Sequence, residues 1–170
     1  MASGNVVGLI YDVVQPATIY ATPDTRAGGS SPSEAVPVYD FDDTTAEYLD
    51  LYCVMSPNYS NGGLTLKLPW TATSATSGAV VWRAAIRRLQ YDSEDVDTSQ
   101  TYDFNQASAD TTASSSGAPS EATITFTDGA DMDNVAAGEP FILRIGRLPT
   151  DAGDTMTGDA ELWTFIIKET

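Results

Sequence analysis

Histidine is absent from this 170-residue chain. That removes the commonest general base, metal ligand and pH switch together. The many Ser and Thr hydroxyls are left without the usual partner that activates a nucleophile. Cysteine occurs once, as Cys53, so no intrachain disulfide can form. It sits in the apolar run Leu49–Met55, where a buried structural thiol is expected. Lysine and arginine number 8 against 24 acidic residues, a formal charge of −16 although only 19% of residues are charged. Such a surface repels nucleic acid and anionic membranes and suits salty surroundings, where the repulsion is screened. No apolar run approaches the roughly 18 residues of a membrane span. The opening stretch MASGNVVGLIYDVVQP lacks the basic region of a secretory signal. Missing as well are the G-x-S-x-G elbow, the P-loop, the dinucleotide fingerprint and any helix of ordinary length.

What is present is strand pattern. Leu64, Leu66, Leu68 and Trp70 alternate with Thr65, Lys67, Pro69 and Thr71; Val80, Trp82, Ala84 and Ile86 alternate with Val81, Arg83, Ala85 and Arg87. Period two with one apolar face demands a second layer to cover it. Further strands are expected at Val38–Phe41, Tyr48–Met55, Thr101–Ala107, Glu121–Thr127, Pro140–Leu148 and Ala160–Lys168. A turn of helix is expected within Asp128–Glu139, an acidic loop at Asp92–Gln100 and a long, mobile loop at Ser108–Pro119. Eight strands separated by turn signals predict an all-β, antiparallel two-sheet sandwich of the jelly-roll kind over residues 37–170. Residues 1–36 read as an extended N-terminal arm and linker, because Thr22–Pro37 is rich in Pro, Gly and Ser. Its apolar tip, Val6, Val7, Leu9, Ile10 and Tyr11, either docks on a partner or packs back as a strand of the same domain.

Candidate chemistry is sparse. Carboxylates such as Asp42, Asp43, Glu47 and Asp50 are too numerous for any pair to be singled out as the acids of a glycosidase, and no enzyme and no cofactor are expected. Hard-cation ligands could come from Asp128, Asp131 and Asp133 with Asn134, or from Asp92, Glu94, Asp95 and Asp97. Neither set follows the EF-hand spacing, and a solvated acidic loop is the plainer reading. Arg83 and Arg87 project opposite Trp82 and form a basic stripe, available either to a neighbouring subunit's carboxylates or to this domain's own acids. Trp70, Trp82 and Trp163 fall at strand positions where core packing is expected.

The stretches Tyr39–Leu89, Ala122–Arg147 and Gly158–Thr170 resemble small β-sandwich structural proteins of tailed bacteriophages, over residues 38–170. The resemblance implies a jelly roll on the virion exterior that acts as a capsid decoration (cement) protein. It would bridge subunits of the major capsid protein and self-associate, with a homotrimer expected. It implies no catalytic residue. A carbohydrate- or receptor-binding module of a head or tail fibre is the alternative, with its site expected at Ser56–Gly63 and Asp92–Gln100.

Overall fold

The computed structural model describes residues 8–170 apart from 99 and 105, with side chains from Val13 onward. The strands are β1 (Gly8–Val14), β2 (Thr22–Gly28), β3 (Glu34–Phe41), β4 (Tyr48–Met55), β5 (Leu64–Ala72), β6 (Ala79–Arg88), β7 (Gln106–Thr111), β8 (Ser120–Phe126), β9 (Pro140–Arg147), β10 (Ala160–Leu162) and β11 (Ile166–Glu169). A single 3-10 turn, Ala130–Met132, is the only helical element among the described residues.

Two antiparallel sheets result. One runs β1-β4-β9-β6-β7; in the other, β8 and the collinear pieces β10 and β11 flank β5, and β10 leads to β3 and β2. Counting from β3 and treating β10 with β11 as one broken strand, the first, eighth, third and sixth strands share one sheet. The second, seventh, fourth and fifth share the other. That interleaving is the double Greek key of a jelly roll, so the expected architecture is the observed one.

The core is filled by the inward parity of each strand. Leu64, Leu66, Leu68 and Trp70 face Leu49, Leu51, Trp82, Phe141, Leu143 and Ile145, all nearly inaccessible to solvent. Trp82 takes Phe41 edge-on at 5.1 Å and Trp70 at 6.0 Å between ring centroids, the preferred geometry for aromatic pairs. Cys53 is buried there too, and burial pushes its thiol up to about 12, leaving it unreactive.

Four sequence expectations are revised. The linker expected over Thr22–Pro37 forms β2 and the first half of β3, and the two strands pair from Thr22↔Asp40 to Gly28↔Glu34; its Gly, Ser and Pro residues concentrate in the hairpin turn between them. Leu9 and Ile10 pair by backbone with Val54 and Cys53, and Tyr11 falls at a bulge, so this part of the expected arm runs along β4; Val6 and Val7 lie outside the described residues. The strand expected at Thr101–Ala107 is displaced to Gln106–Thr111, four of whose residues fall in the loop expected at Ser108–Pro119. Among the described residues β7 pairs with β6 alone, and its small, mostly polar residues carry no hydrophobic period to announce it. Finally, Trp163 sits at the break between β10 and β11, half-buried, where its indole N–H donates to Thr71 Oγ1 at 2.9 Å instead of joining the core.

Candidate functional site

The outer face of the β1-β4-β9-β6-β7 sheet carries the densest set of polar and aromatic groups. Outward parity places Tyr48, Asp50 and Tyr52 on β4, Arg83 and Arg87 on β6, and Ile142, Arg144 and Gly146 on β9. Gly146 is opposite both Tyr48 and Arg83 in register. A Cβ there would come within 2.7 Å of the Tyr48 ring, so the missing side chain is what lets that ring lie across β9.

Onto this face folds the segment between β6 and β7. Phe104 stacks with Tyr48 at 5.4 Å, and the Arg83 guanidinium contacts both rings, 4.5 Å from Phe104 and 5.1 Å from Tyr48. Tyr102 covers Arg144 at 3.9 Å and lies 5.8 Å from the Arg87 guanidinium. Each such contact contributes about 0.5–2 kcal/mol, more as water is excluded. Burial, then the Asp50 carboxylate, raises the Tyr102 phenol above its ordinary value, so it stays neutral, with its oxygen accepting from the Arg87 guanidinium.

Arg87 and Arg144 on this face meet carboxylates of their own chain, and Arg83 meets a phenol. Arg144 donates through Nε and Nη2 to the two oxygens of Asp50 at 2.6 and 2.7 Å. Arg87 Nη1 reaches Glu94 Oε2 at 3.3 Å, and Arg83 donates to the Tyr48 hydroxyl. The stripe read from the sequence is therefore present, with intrachain partners. Arg87 is 8% exposed, and its Nε has no hydrogen-bond partner among the described residues.

Between sheet and loop remains a cleft of about 420 Å³. Its floor is Asp50, Tyr52, Arg87, Ile142 and Arg144; its wall is Leu89, Val96, Thr98, Gln100 and Tyr102. Gln100 braces the wall by donating to Asp95 O and Thr98 Oγ1. Tyr91 and Val96 are 70% and 71% exposed in the same loop. Of the two loops expected to form a binding site, Asp92–Gln100 contributes to this cleft. Ser56–Gly63 does not: Ser60 and Gly62 donate to Glu169, and Tyr59 is buried against Asp128.

The candidate cation ligands are engaged otherwise. Asp128 accepts from Tyr59 at 2.7 Å, Asp131 from the Thr127 N–H at 3.2 Å, and Asp133 from the Arg88 N–H at 2.9 Å. Carboxylates gather instead at a place the sequence did not single out. Asp42, Asp43 and Asp159 bring oxygens within 4.8 Å of one another, beside a cavity of about 230 Å³ lined by Thr22, Asp40, Asp42, Glu47 and Asp159. Burial, then repulsion from Glu161, Asp24, Asp159 and Glu47, raises Asp40 to about 6. Hydrogen bonds from Thr44 and Thr45 hold Asp42 below its ordinary value. No spacing rule links residues over a hundred positions apart, so nothing short of the β3–β10 pairing reveals this group.

No family model and no curated protein matches the chain. Among solved structures, it is similar to a carbohydrate-binding module described for specific mannan recognition, at 7% identity and a TM-score of 0.37, over 96% of this chain and 98% of that one. A likeness at that score speaks to no shared function.

Proposed function

We propose that the chain is a non-catalytic structural protein of a virion exterior, one that decorates the head by bridging neighbouring copies of the major capsid protein. Fold alone does not select a function. The observation that carries the reading is one flank of the sandwich. β1 and β2 end their respective sheets on the side opposite β7 and β8, and neither has a further strand partner among the described residues. β2 is exposed almost throughout, and the link between the two strands presents Val14, Ile19 and Tyr20, 38%, 53% and 43% exposed. Open strand edges beside exposed apolar groups are ready-made contacts for another chain.

Adding contact area across subunits opposes their separation without any chemistry, and about 1,600 Å² per interface is ordinary for a specific contact. A homotrimer would multiply the attachment points and raise the effective concentration of each. The test is add-back to heads that lack the protein, followed by heating. Heads carrying it should disrupt at a higher temperature, and the gain should vanish with a Val14→Ser/Tyr20→Ser variant that still folds. No gain with the parent protein overturns the reading.

A second reading, a carbohydrate- or receptor-binding module of a fibre, is favoured by the cleft under the β6–β7 loop, where aromatic and hydrogen-bonding groups converge in a volume ordinary for ligand sites.

A further inference from the structure

The cleft has a property that narrows what it can hold. Its charges are closed on themselves: Arg144 is held bidentate by Asp50, and Arg87 meets Glu94. The lining therefore offers hydrogen bonds with little net charge, on a protein whose overall charge of −16 repels anions at a distance. A cation finds no uncommitted carboxylate on the floor, because Asp50 spends both oxygens on Arg144.

Two features ask for a ligand. The Arg87 Nε–H lies closed off beneath the floor without an acceptor among the described residues, a cost that one ligand oxygen would lift once the guanidinium turns toward the cleft. Tyr52 borders the same space, and its ring has no aromatic or cationic partner among the described residues, unlike Tyr48 and Tyr102. An unstacked ring beside an unpaired donor suits a molecule with an apolar face and a hydroxylated edge.

We propose that the cleft binds a neutral, hydroxylated ring, a saccharide unit of an uncharged glycan, with Tyr52 under the ring face and the Arg87 Nε–H donating to a ring hydroxyl. The inference rests on the second reading above and specifies its ligand.

The 170-residue protein would be titrated by calorimetry with short neutral oligosaccharides of glucose, mannose and galactose, and with uronate oligosaccharides, at low and high salt. The Arg87 Nε–H would be followed by nuclear magnetic resonance on nitrogen-labelled protein, a readout that needs no mutation. The expected result is binding of a neutral oligosaccharide that salt leaves unchanged, with a shifted Arg87 Nε–H signal. Tyr52→Ala should weaken binding about tenfold, as loss of an aromatic anchor does, while keeping the parent's melting temperature. Binding confined to uronates, or falling steeply with salt, overturns the neutral-ligand inference and leaves the binding-module reading standing. Neutral-sugar binding with Tyr52→Ala and the Arg87 signal both indifferent overturns the cleft as the site. Binding of no saccharide overturns this inference and the saccharide form of that reading together.

Discussion

Arg147 and Asp154 form a closed ion pair with almost no solvent contact: Nε donates to Oδ2 at 3.0 Å and Nη2 to Oδ1 at 2.8 Å, with side chains 0% and 2% exposed. The same guanidinium also donates to the carbonyls of Phe41, Met156 and Gly158. One side chain thus ties the end of β9 to the loop before β10 and to the end of β3.

Removing that guanidinium strands a buried carboxylate. Arg147→Met should lower unfolding stability by about 3–5 kcal/mol, the cost of leaving one partner of a buried pair alone. Urea denaturation checks it. Arg147→Met with Asp154→Leu should cost less than the sum of the two single changes, because no charge is then left unpaired.

The Tyr48 ring needs Gly146 bare. Gly146→Ala puts a methyl 2.7 Å from that ring and 2.8 Å from the Glu47 carbonyl oxygen, and should cost about 1–3 kcal/mol as overpacking does. Because Tyr48 supports Arg83 and Phe104, the same variant should expose the β6–β7 loop to proteolysis before the core unfolds.

That loop is held on the sheet by Tyr102 and Phe104. Tyr102→Ala with Phe104→Ala should raise amide exchange across residues 90–104, while β5 and β9 keep their protection. Exchange mass spectrometry separates the two regions.

Asp40 gives a pH prediction with a definite sign. Its folded-state value, about 6, lies above the ordinary 3.8. The folded state therefore holds this proton more tightly. The group's favourable contribution is complete below pH 3.8 and is lost as pH rises through 6. Asp40→Asn should raise the melting temperature at pH 7–8 relative to the parent, and the gain should shrink to nothing by pH 4. A gain that persists at pH 4 contradicts the assignment.

Much of this architecture is legible in the alternation of single strands. Leu64 to Trp70 and Val80 to Ile86 announce their buried faces, and parity alone puts Arg83 and Arg87 opposite Trp82. The same parity sets Arg147 inward with Phe141, Leu143 and Ile145, a signal available in the sequence but masked by the arginine's charge. What stayed hidden depends on contacts between distant segments. β7 carries no apolar period because it is an edge strand of small polar residues. Tyr102 and Phe104 read as strand residues because their alternation serves a stack over Arg83 and Arg144, not a sheet. The cleft exists only once that loop lies down, so Tyr52 does not stand out beforehand and Arg87 is legible only as part of the basic stripe.

The most direct test of the proposed role is attachment. The purified protein would be mixed with heads formed by the major capsid protein of a virus proposed to encode it, sedimented through a gradient, and counted against the capsid protein. The account predicts saturable co-sedimentation at a fixed ratio, reduced by Val14→Ser/Tyr20→Ser. Protein that stays at the top of the gradient while the heads sediment would contradict it.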